Sequence, residues 1–222
     1  MTDEALDPRI THSLETYDER TLRIYDTLVL RLFCPLVWGC GVGPMRRLYD
    51  RSVGRRHLDV GPGTGYFVDK TRWRVKDPEI TLLDLNTECL RVSAKRLARF
   101  KPDTCHANLL DPLPLPPDHF DSVGLNLVFH CIPGGWEEKG VIFEHLAKVV
   151  RPGGRVFGTT ILAEGVPMNR LTHRALLEQH ERGNFQNQGD DPDGLRRQLK
   201  RYLPNHQLVI KGTTALFRAV VE

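Results

Sequence analysis

Two hydrophobic patterns alternate along most of this chain. Short, dense apolar runs, such as those at 80–84 and 156–162, have the length of buried strands. Longer segments between them, such as 88–100 and 136–150, repeat apolar residues at intervals of three and four and predict amphipathic helices. Strands that alternate with helices predict an α/β fold with a parallel sheet at its centre. The predicted strands cover 57–60, 80–84, 104–108, 156–162, 207–210 and 215–221. Between 104–108 and 156–162, the stretch 120–131 predicts the fourth strand together with the residues that directly follow it.

The N-terminal part of the chain carries only helical patterns. Residues 1–20 are polar, and 21–38 repeat apolar side chains as in a helix, which we expect to break near Pro35. A glycine-rich break at 39–44 leads to a short basic helix around 45–52. Near the other end, 193–203 predicts a basic amphipathic helix, and the strands beyond it flank a turn at 211–214 that is typical of a hairpin.

Composition narrows the class of protein. A chain of 222 residues with 40% hydrophobic side chains suits a single domain, 1–222, with one substantial core. The net charge of +3 does not call for nucleic acid or an anionic membrane as a partner. No signal-peptide core or apolar stretch of membrane-spanning length is present, so we expect a cytoplasmic protein without a membrane span. Five scattered cysteines predict free thiols, and no histidine and acid cluster predicts a metal site.

The most informative stretch is the turn after the first predicted strand, Gly61-Pro62-Gly63-Thr64-Gly65. Glycines at alternate positions let backbone N–H groups and the following helix N-terminus approach a ligand closely. A dinucleotide site would have the spacing G-x-G-x-x-G, and Asp59 would repel a pyrophosphate. A nicotinamide-dependent oxidoreductase is therefore disfavoured, whereas a ligand that carries an amino group and a sulfonium would suit this turn.

The stretch 58–65, Leu-Asp-Val-Gly-Pro-Gly-Thr-Gly, resembles motif I of the class I S-adenosylmethionine-dependent methyltransferases. The resemblance implies a Rossmann-like sheet of seven mostly parallel strands, with helices on both faces and an antiparallel C-terminal edge hairpin. It also implies S-adenosylmethionine as cofactor and S-adenosylhomocysteine as product. In these terms the chain divides into an N-terminal helical lid (1–53), a cofactor-binding core (54–162), a substrate-side insertion (163–192) and a C-terminal helix and hairpin (193–222).

Further matches follow along the core. Asp84 ends the second predicted strand, where a carboxylate can accept hydrogen bonds from both ribose hydroxyls. Asn108 stands where the family often has an adenine-binding Asp, in a segment similar to the quinone-biosynthesis branch. One inserted residue before 113 leaves the exact adenine contact open. The cofactor-binding residues that we expect are Asp59, Gly61, Pro62, Gly63, Gly65, Asp84, Leu85, Asn108, Leu109 and Asn126.

His130 follows the fourth predicted strand and is our candidate general base, because a neutral imidazole at the crevice can accept a proton. The alternative is that it only shapes the pocket. Strand or helix packing accounts better for the other candidates, His106, His145 and His173. No metal-dependent mechanism is predicted.

Aromatic side chains suggest a lid and an apolar substrate. Tyr17, Tyr25 and Trp38 are expected to form a lid over the opening of the cofactor site. The alternative is that each fills core between the N-terminal helix and the sheet. Trp38, Phe129 and Trp136 are expected near that opening, which favours an aromatic or isoprenoid-like acceptor.

We therefore expect methyl transfer to a small molecule, such as a secondary metabolite or a quinone-like compound, by a monomer or homodimer that binds no nucleic acid. The acceptor atom stays open among O, N, C and S. The alternative is a cofactor-binding protein of the same fold that acts as a cyclase or a non-methylating scaffold.

Overall fold

The computed structural model describes residues 26–222, apart from the side chains of Thr27 and Leu28. Tyr17 and Tyr25 lie outside the described residues. The described part forms one seven-stranded sheet with the spatial order β3-β2-β1-β4-β5-β7-β6. Its strands are β1 (Arg56–Val60), β2 (Glu79–Asp84), β3 (Asp103–His106), β4 (Phe120–Asn126), β5 (Val150–Ile161), β6 (His206–Lys211) and β7 (Thr214–Val220).

Strand pairing confirms the predicted fold class. The strands β1 to β5 pair in parallel, whereas β7 lies antiparallel to both β5 and β6. In the centre, Asp59 of β1 is level with Leu82 of β2 and Gly124 of β4. The chain winds outward from β1 to β3 on one side and from β4 on the other. A crevice at the carboxyl ends of β1 and β4 is where such open sheets bind ligands.

Helices cover both faces of the sheet, as the pattern on β5 demonstrates. Neighbouring strand residues point to opposite faces. Val156 packs in a cluster with Leu146 and Leu199, whereas the adjacent Phe157 contacts Tyr49 at 4.9 Å between ring centroids. The helices are Val42–Ser52, Tyr66–Lys70, Thr87–Arg96, Trp136–Lys139, Val141–Val149, Arg170–Glu181 and Pro192–Tyr202, with 3-10 turns at Ala98–Phe100 and Phe129–Cys131.

Several element boundaries differ from the predicted ones. The helix after the glycine turn, which the sequence predicts over 66–74, ends at Lys70, where Thr71 takes an extended conformation and donates its hydroxyl to the Phe67 carbonyl at 2.8 Å. The helix predicted over 136–150 is divided at Gly140, which sits against Gln198 and the Trp136 carbonyl. The Pro-Gly-Gly sequence within 151–155 predicts a turn before the fifth strand, but these residues belong to β5, which pairs irregularly with β4 there.

The N-terminal segment packs over the carboxyl-end side of the sheet. It comprises a π-helix, Asp26–Phe33, and a short α-helical turn, Cys34–Leu36. Leu30 and Trp38 share a buried cluster with Leu176 of the helix Arg170–Glu181, and Thr172 donates its hydroxyl to the Val37 carbonyl at 2.7 Å. Within residues 26–222, no helix combines the length and the apolar character needed to cross a bilayer.

The expectation that Phe129 and Trp136 lie near the substrate mouth is wrong. Both are core side chains, 0% and 5% exposed, and their rings lie 5.7 Å apart. The Trp136 indole donates a hydrogen bond to the Asp191 carbonyl at 3.1 Å. Both fill core between the sheet and the helices Val141–Val149 and Pro192–Tyr202, and neither lines the crevice at the carboxyl ends of the strands.

Candidate active site

The glycine turn forms one wall of a cavity at the carboxyl ends of β1, β2 and β4. Gly61, Gly63 and Gly65 all have positive φ angles, of 61°, 52° and 73°, which side chains other than glycine rarely adopt. A Cβ on Gly61 would lie 2.6 Å from Val128, and one on Gly65 would lie 3.2 Å from Ser93. A Cβ on Gly63 would meet no described atom within 4 Å, so the backbone of Gly63 is the part of the turn that a ligand can approach closely.

Nine of the ten residues predicted to bind the cofactor line this cavity. The exception is Gly65, which precedes the helix Tyr66–Lys70 in a left-handed conformation and packs against Ser93 and Leu97. The role of Gly65 is therefore to let the chain turn from the loop into the helix. The cavity-lining residues among those predicted are Asp59, Gly61, Pro62, Gly63, Asp84, Leu85, Asn108, Leu109 and Asn126.

Asp59 is almost fully buried beneath the turn, with 2% of its surface exposed. Its Oδ1 atom accepts a hydrogen bond of 2.7 Å from the Tyr49 hydroxyl. Burial and the nearby Asp59 charge raise the pKa of Tyr49 well above its usual value, which keeps the phenol protonated as a donor. No described residue hydrogen-bonds Oδ2, so this oxygen is left for a ligand.

Asp84 lies at the end of β2, on the opposite wall. Burial raises the pKa of this carboxyl to about 6, although the backbone N–H groups of Asn86 and Leu85 act in the other direction. The Asn86 N–H donates to Oδ1 at 2.9 Å. Asn86 also caps the helix Thr87–Arg96 through its side-chain oxygen, so the carboxylate is held at a well-ordered turn.

The third strand ends earlier than predicted, at His106 rather than 108. Asn108 lies in the following turn, where its Oδ1 atom accepts the Leu110 N–H at 3.1 Å. This local bond occupies the oxygen that the sequence offered to an adenine amino group. Neighbouring Leu109 also lines the cavity, and its carbonyl bonds to the His145 ring at 3.0 Å.

Asn126 ends β4 and lies at the floor of the cavity. Its Oδ1 atom accepts the Thr159 hydroxyl at 2.6 Å, and its amide nitrogen contacts the Met45 sulfur at 3.8 Å. The next residue, Leu127, has a φ angle of 61°, which is unusual for a residue with a branched side chain. Its backbone N–H is held by Thr159, and Leu127 lines the cavity. Strained backbone of this kind clusters at functional sites.

His130 is buried, 3% exposed, and does not line this cavity. Its Nδ1 atom accepts the Ile161 N–H at 3.4 Å, and its ring lies 4.4 Å from that of Phe185. Burial, together with the charge of Lys139, lowers the pKa of His130 to about 3. These contacts suit a residue that shapes the pocket, and the hypothesis of a general base stays a prediction.

Trp38 is 4% exposed, and its ring lies 5.6 Å from that of Phe185. Phe185 in turn contacts His130, so the Phe185 ring connects Trp38 to His130. Trp38 does not line the cofactor cavity. Trp38, His130 and Phe185 therefore form a second group of side chains, next to the cavity and beneath the N-terminal segment. The other histidines pack or face outward: His106 contacts the Leu85 carbonyl at 2.9 Å, and His173 is exposed on a helix.

The sequence did not predict the hydrogen bonds that join the N-terminal segment to the glycine turn. Asp26 accepts the Thr64 hydroxyl at 2.6 Å and an Arg96 N–H at 2.7 Å. Leu30, from the same segment, lines the cavity. From the sequence, Asp26 cannot be distinguished from an acidic side chain exposed to solvent, because its partners lie 38 and 70 residues away in the chain. Among the described residues, no group of three or more His, Cys, Asp or Glu side chains could hold a metal ion.

Comparisons with known proteins agree with this geometry. A family model described as a methyltransferase domain matches residues 58–158. The chain is 42% identical over 218 residues to demethylluteothin O-methyltransferase of Streptomyces thioluteus, a match that covers 98% of this chain and 95% of the relative. It is 34% identical over 226 residues to methyltransferase verB of Penicillium polonicum, with 93% and 97% coverage.

The fold has solved counterparts. Geranyl diphosphate C-methyltransferase from Streptomyces coelicolor, solved with S-adenosylhomocysteine, superposes with a TM-score of 0.70 at 12% identity, over 98% of this chain and 99% of that one. At that identity the likeness concerns the fold alone. With the glycine turn, the two acids at the strand ends and relatives that match over nearly their whole length, the chain belongs to the class I S-adenosylmethionine-dependent methyltransferase superfamily.

Proposed function

We propose that this protein uses S-adenosylmethionine to methylate a hydroxyl oxygen of a small secondary metabolite. The observation that carries the proposal is the convergence of Asp59, Gly63 and Asp84 on one cavity, in a chain that is 42% identical to an O-methyltransferase along almost its entire length. The name of that relative supports oxygen as the acceptor atom and a secondary metabolite as the substrate class.

The residues present fit this cofactor. Oδ2 of Asp59 is available to the ammonium of its amino acid part, and the Asp84 carboxylate to its two ribose hydroxyls. The backbone at Gly63 admits close approach, since no Cβ fills that space. Leu109 and Asn126 also line the cavity, and we assign the Leu109 backbone to the adenine ring and Asn126 to the methionine end. When bound, the cofactor supplies an electrophilic methyl group.

The task of the protein is then to hold the acceptor in line with that methyl and to exclude water. Positioning of two reactants contributes several kcal/mol in such displacements. We assign the acceptor wall to Phe185, Trp38 and Tyr66, which belong to one apolar cluster; Tyr66 also lines the cavity itself. The acceptor hydroxyl must give up its proton, to water or to a side chain, as its new bond forms. His130, the candidate base, contacts this wall through Phe185.

Product analysis tests the proposal. Purified protein is incubated with S-adenosylmethionine and demethylluteothin, or with a hydroxylated quinone, and the products are separated by mass spectrometry. We expect one S-adenosylhomocysteine for each acceptor that gains a methyl group. An isomerised acceptor of unchanged mass, without S-adenosylhomocysteine, would instead support the cyclase alternative. Stabilisation in a thermal melt by NAD but not by S-adenosylhomocysteine would support an oxidoreductase.

A variant pair separates the two parts of the site. Phe185→Ala is expected to raise KM for the acceptor and to leave the Kd for S-adenosylhomocysteine unchanged, because Phe185 does not line the cofactor cavity. Asp84→Ala is expected to weaken S-adenosylhomocysteine binding instead. A cytoplasmic location, the subdivision into lid, core and insertion, and a monomeric or homodimeric state remain part of the proposal.

A further inference from the structure

A buried polar chain lies directly behind Asp59, on the side away from the cavity. Ser122 of β4 is level with His57 of β1 in the sheet, and its hydroxyl oxygen lies 2.9 Å from the His57 Nδ1 atom. The same oxygen accepts the Gly54 N–H at 2.8 Å. His57 and Ser122 are both 0% exposed, in a region otherwise packed with Tyr49, Phe157 and other apolar side chains.

The Ser122 hydroxyl can supply one hydrogen to His57 Nδ1 while its oxygen accepts the Gly54 N–H. We assign this donor role to Ser122, which places a ring hydrogen of His57 on Nε2. Nε2 is buried without a hydrogen-bond partner among the described residues, and Oδ1 of Asp59 lies 3.6 Å from it.

The sheet leaves room for this arrangement at one position. Gly124 of β4 is level with Asp59, and a Cβ there would lie 3.2 Å from Asp59 Oδ1, 3.2 Å from the His57 ring and 3.0 Å from Phe157. Glycine in the middle of a buried strand is unfavourable unless other groups approach closely. The groups that approach here are the imidazole and the carboxylate themselves.

We propose that His57, oriented by Ser122, is a positioning residue that holds Oδ1 of Asp59 inward and so presents Oδ2 to the ammonium of the cofactor. This inference rests on the proposed function. Two groups face the same oxygen: the Tyr49 hydroxyl donates a hydrogen bond to it at 2.7 Å, and His57 Nε2 lies 3.6 Å from it, in electrostatic contact without a hydrogen bond. With Oδ1 held from behind, the carboxylate is pre-oriented, and the other oxygen keeps its full capacity to accept a bond from a cation.

The test compares two ligands that differ in the amino acid part, which carries the ammonium. S-Adenosylhomocysteine carries the amino acid part, and 5′-methylthioadenosine lacks it but retains the adenosine. Binding of each is measured by calorimetry to the wild-type protein and to His57→Phe, which keeps a ring against Phe157 and Trp73. We expect a roughly tenfold weaker affinity for S-adenosylhomocysteine, the size of one charge-assisted contact, and less than about a twofold change for 5′-methylthioadenosine.

Three further variants strengthen the test. His57→Gln places an amide N–H near the position of Nε2 and should recover most of the lost affinity. Ser122→Ala removes the group that orients the ring. Like His57→Phe, it should lower the affinity for S-adenosylhomocysteine relative to the affinity for 5′-methylthioadenosine. Phe157→Leu is the control, because it disturbs the packing of the same ring without changing a polar atom, and it should lower the melting temperature with an unchanged ratio of the two affinities.

Equal losses for both ligands in His57→Phe and Ser122→Ala would indicate a merely structural role and overturn the inference, as would unchanged binding of both. Wild-type protein that binds 5′-methylthioadenosine and S-adenosylhomocysteine equally well would show that Asp59 does not contact the ammonium. If wild-type protein binds neither ligand, the proposed function itself fails, and the inference fails with it.

Discussion

The ammonium of Lys139 donates hydrogen bonds to both carboxylate oxygens of Asp190, at 3.0 and 2.9 Å, and both side chains are buried from solvent. Lys139 also donates to the Gln186 carbonyl at 3.2 Å, while the Asp190 carbonyl accepts the N–H of Ala163. The pair thus joins the helix Trp136–Lys139 to the loop that carries Phe185 and to the residues that follow β5.

From this pair we predict a large effect on stability. Lys139→Met leaves a buried carboxylate without its cation, and we expect the free energy of unfolding in urea to fall by about 3–5 kcal/mol. Replacement of both residues, Lys139→Met with Asp190→Leu, should recover most of that loss. The control is Lys148→Met, which breaks the exposed pair with Glu144 and should cost less than about 0.5 kcal/mol. A loss in Lys139→Met no larger than in this control would contradict the prediction.

Asp84 predicts a pH dependence of cofactor binding. Its pKa is raised to about 6 in the folded protein, whereas hydroxyl donors bind the ionised carboxylate. Ligand binding therefore competes with protonation, and the affinity for S-adenosylhomocysteine should fall as the pH drops from about 7 through 6. Calorimetry of the wild type and Asp84→Asn measures this, because the asparagine variant should bind about tenfold more weakly at pH 8 and lose less affinity on acidification.

The same shift has the opposite sign for stability without ligand. Because the folded state holds the Asp84 proton more tightly than the unfolded chain, the contribution of this group to stability is complete below about pH 4 and is lost as the pH rises through about 6. A urea titration at several pH values should show this component in the wild type and not in Asp84→Asn. Identical pH profiles for the two proteins would refute the assignment.

Gly61 and Gly63 predict two different outcomes of one substitution. Both have positive φ angles, so alanine strains the backbone at either position by about 1 kcal/mol. Gly61→Ala also places its methyl group 2.6 Å from Val128, and we expect a clear fall in melting temperature. Gly63→Ala meets no described atom, so its melting temperature should change little, while S-adenosylhomocysteine binding is lost. Retention of tight binding by Gly63→Ala would show that the ligand does not approach this backbone.

His130 is the residue whose kinetic test is most direct. With a pKa near 3 and its Nδ1 atom turned to the Ile161 N–H, it is a weak proton acceptor at neutral pH. We therefore expect His130→Gln to lower kcat less than about tenfold and to leave the pH profile between 6 and 9 unchanged. A fall of about a hundredfold or more, the usual contribution of a general base, would assign that role to His130. Acceptor KM is the internal comparison, since a pocket-shaping residue should raise it.

Much of the cavity that we propose as the cofactor site could be predicted from the sequence, because its residues lie at the ends of strands. Asp59, Asp84 and Asn126 each occupy one of the last two positions of a strand, and in a parallel sheet the ends of neighbouring strands meet at the same edge. Two details differ there for local reasons: Gly65 packs against Ser93 and Leu97 instead of lining the cavity, and β3 ends at His106, so the Asn108 oxygen accepts the Leu110 N–H in a turn.

The sequence by itself determined the order of strands and helices, the edge hairpin and the bend at the glycines, because hydrophobic period and glycine conformation act over a few neighbouring residues. Tertiary structure decided which polar groups meet inside. Lys139 and Asp190 are 51 residues apart, and His57 and Ser122 are 65 apart. Their partners depend on how helices and strands pack, as does the burial of Phe129 and Trp136, and no local pattern records that packing.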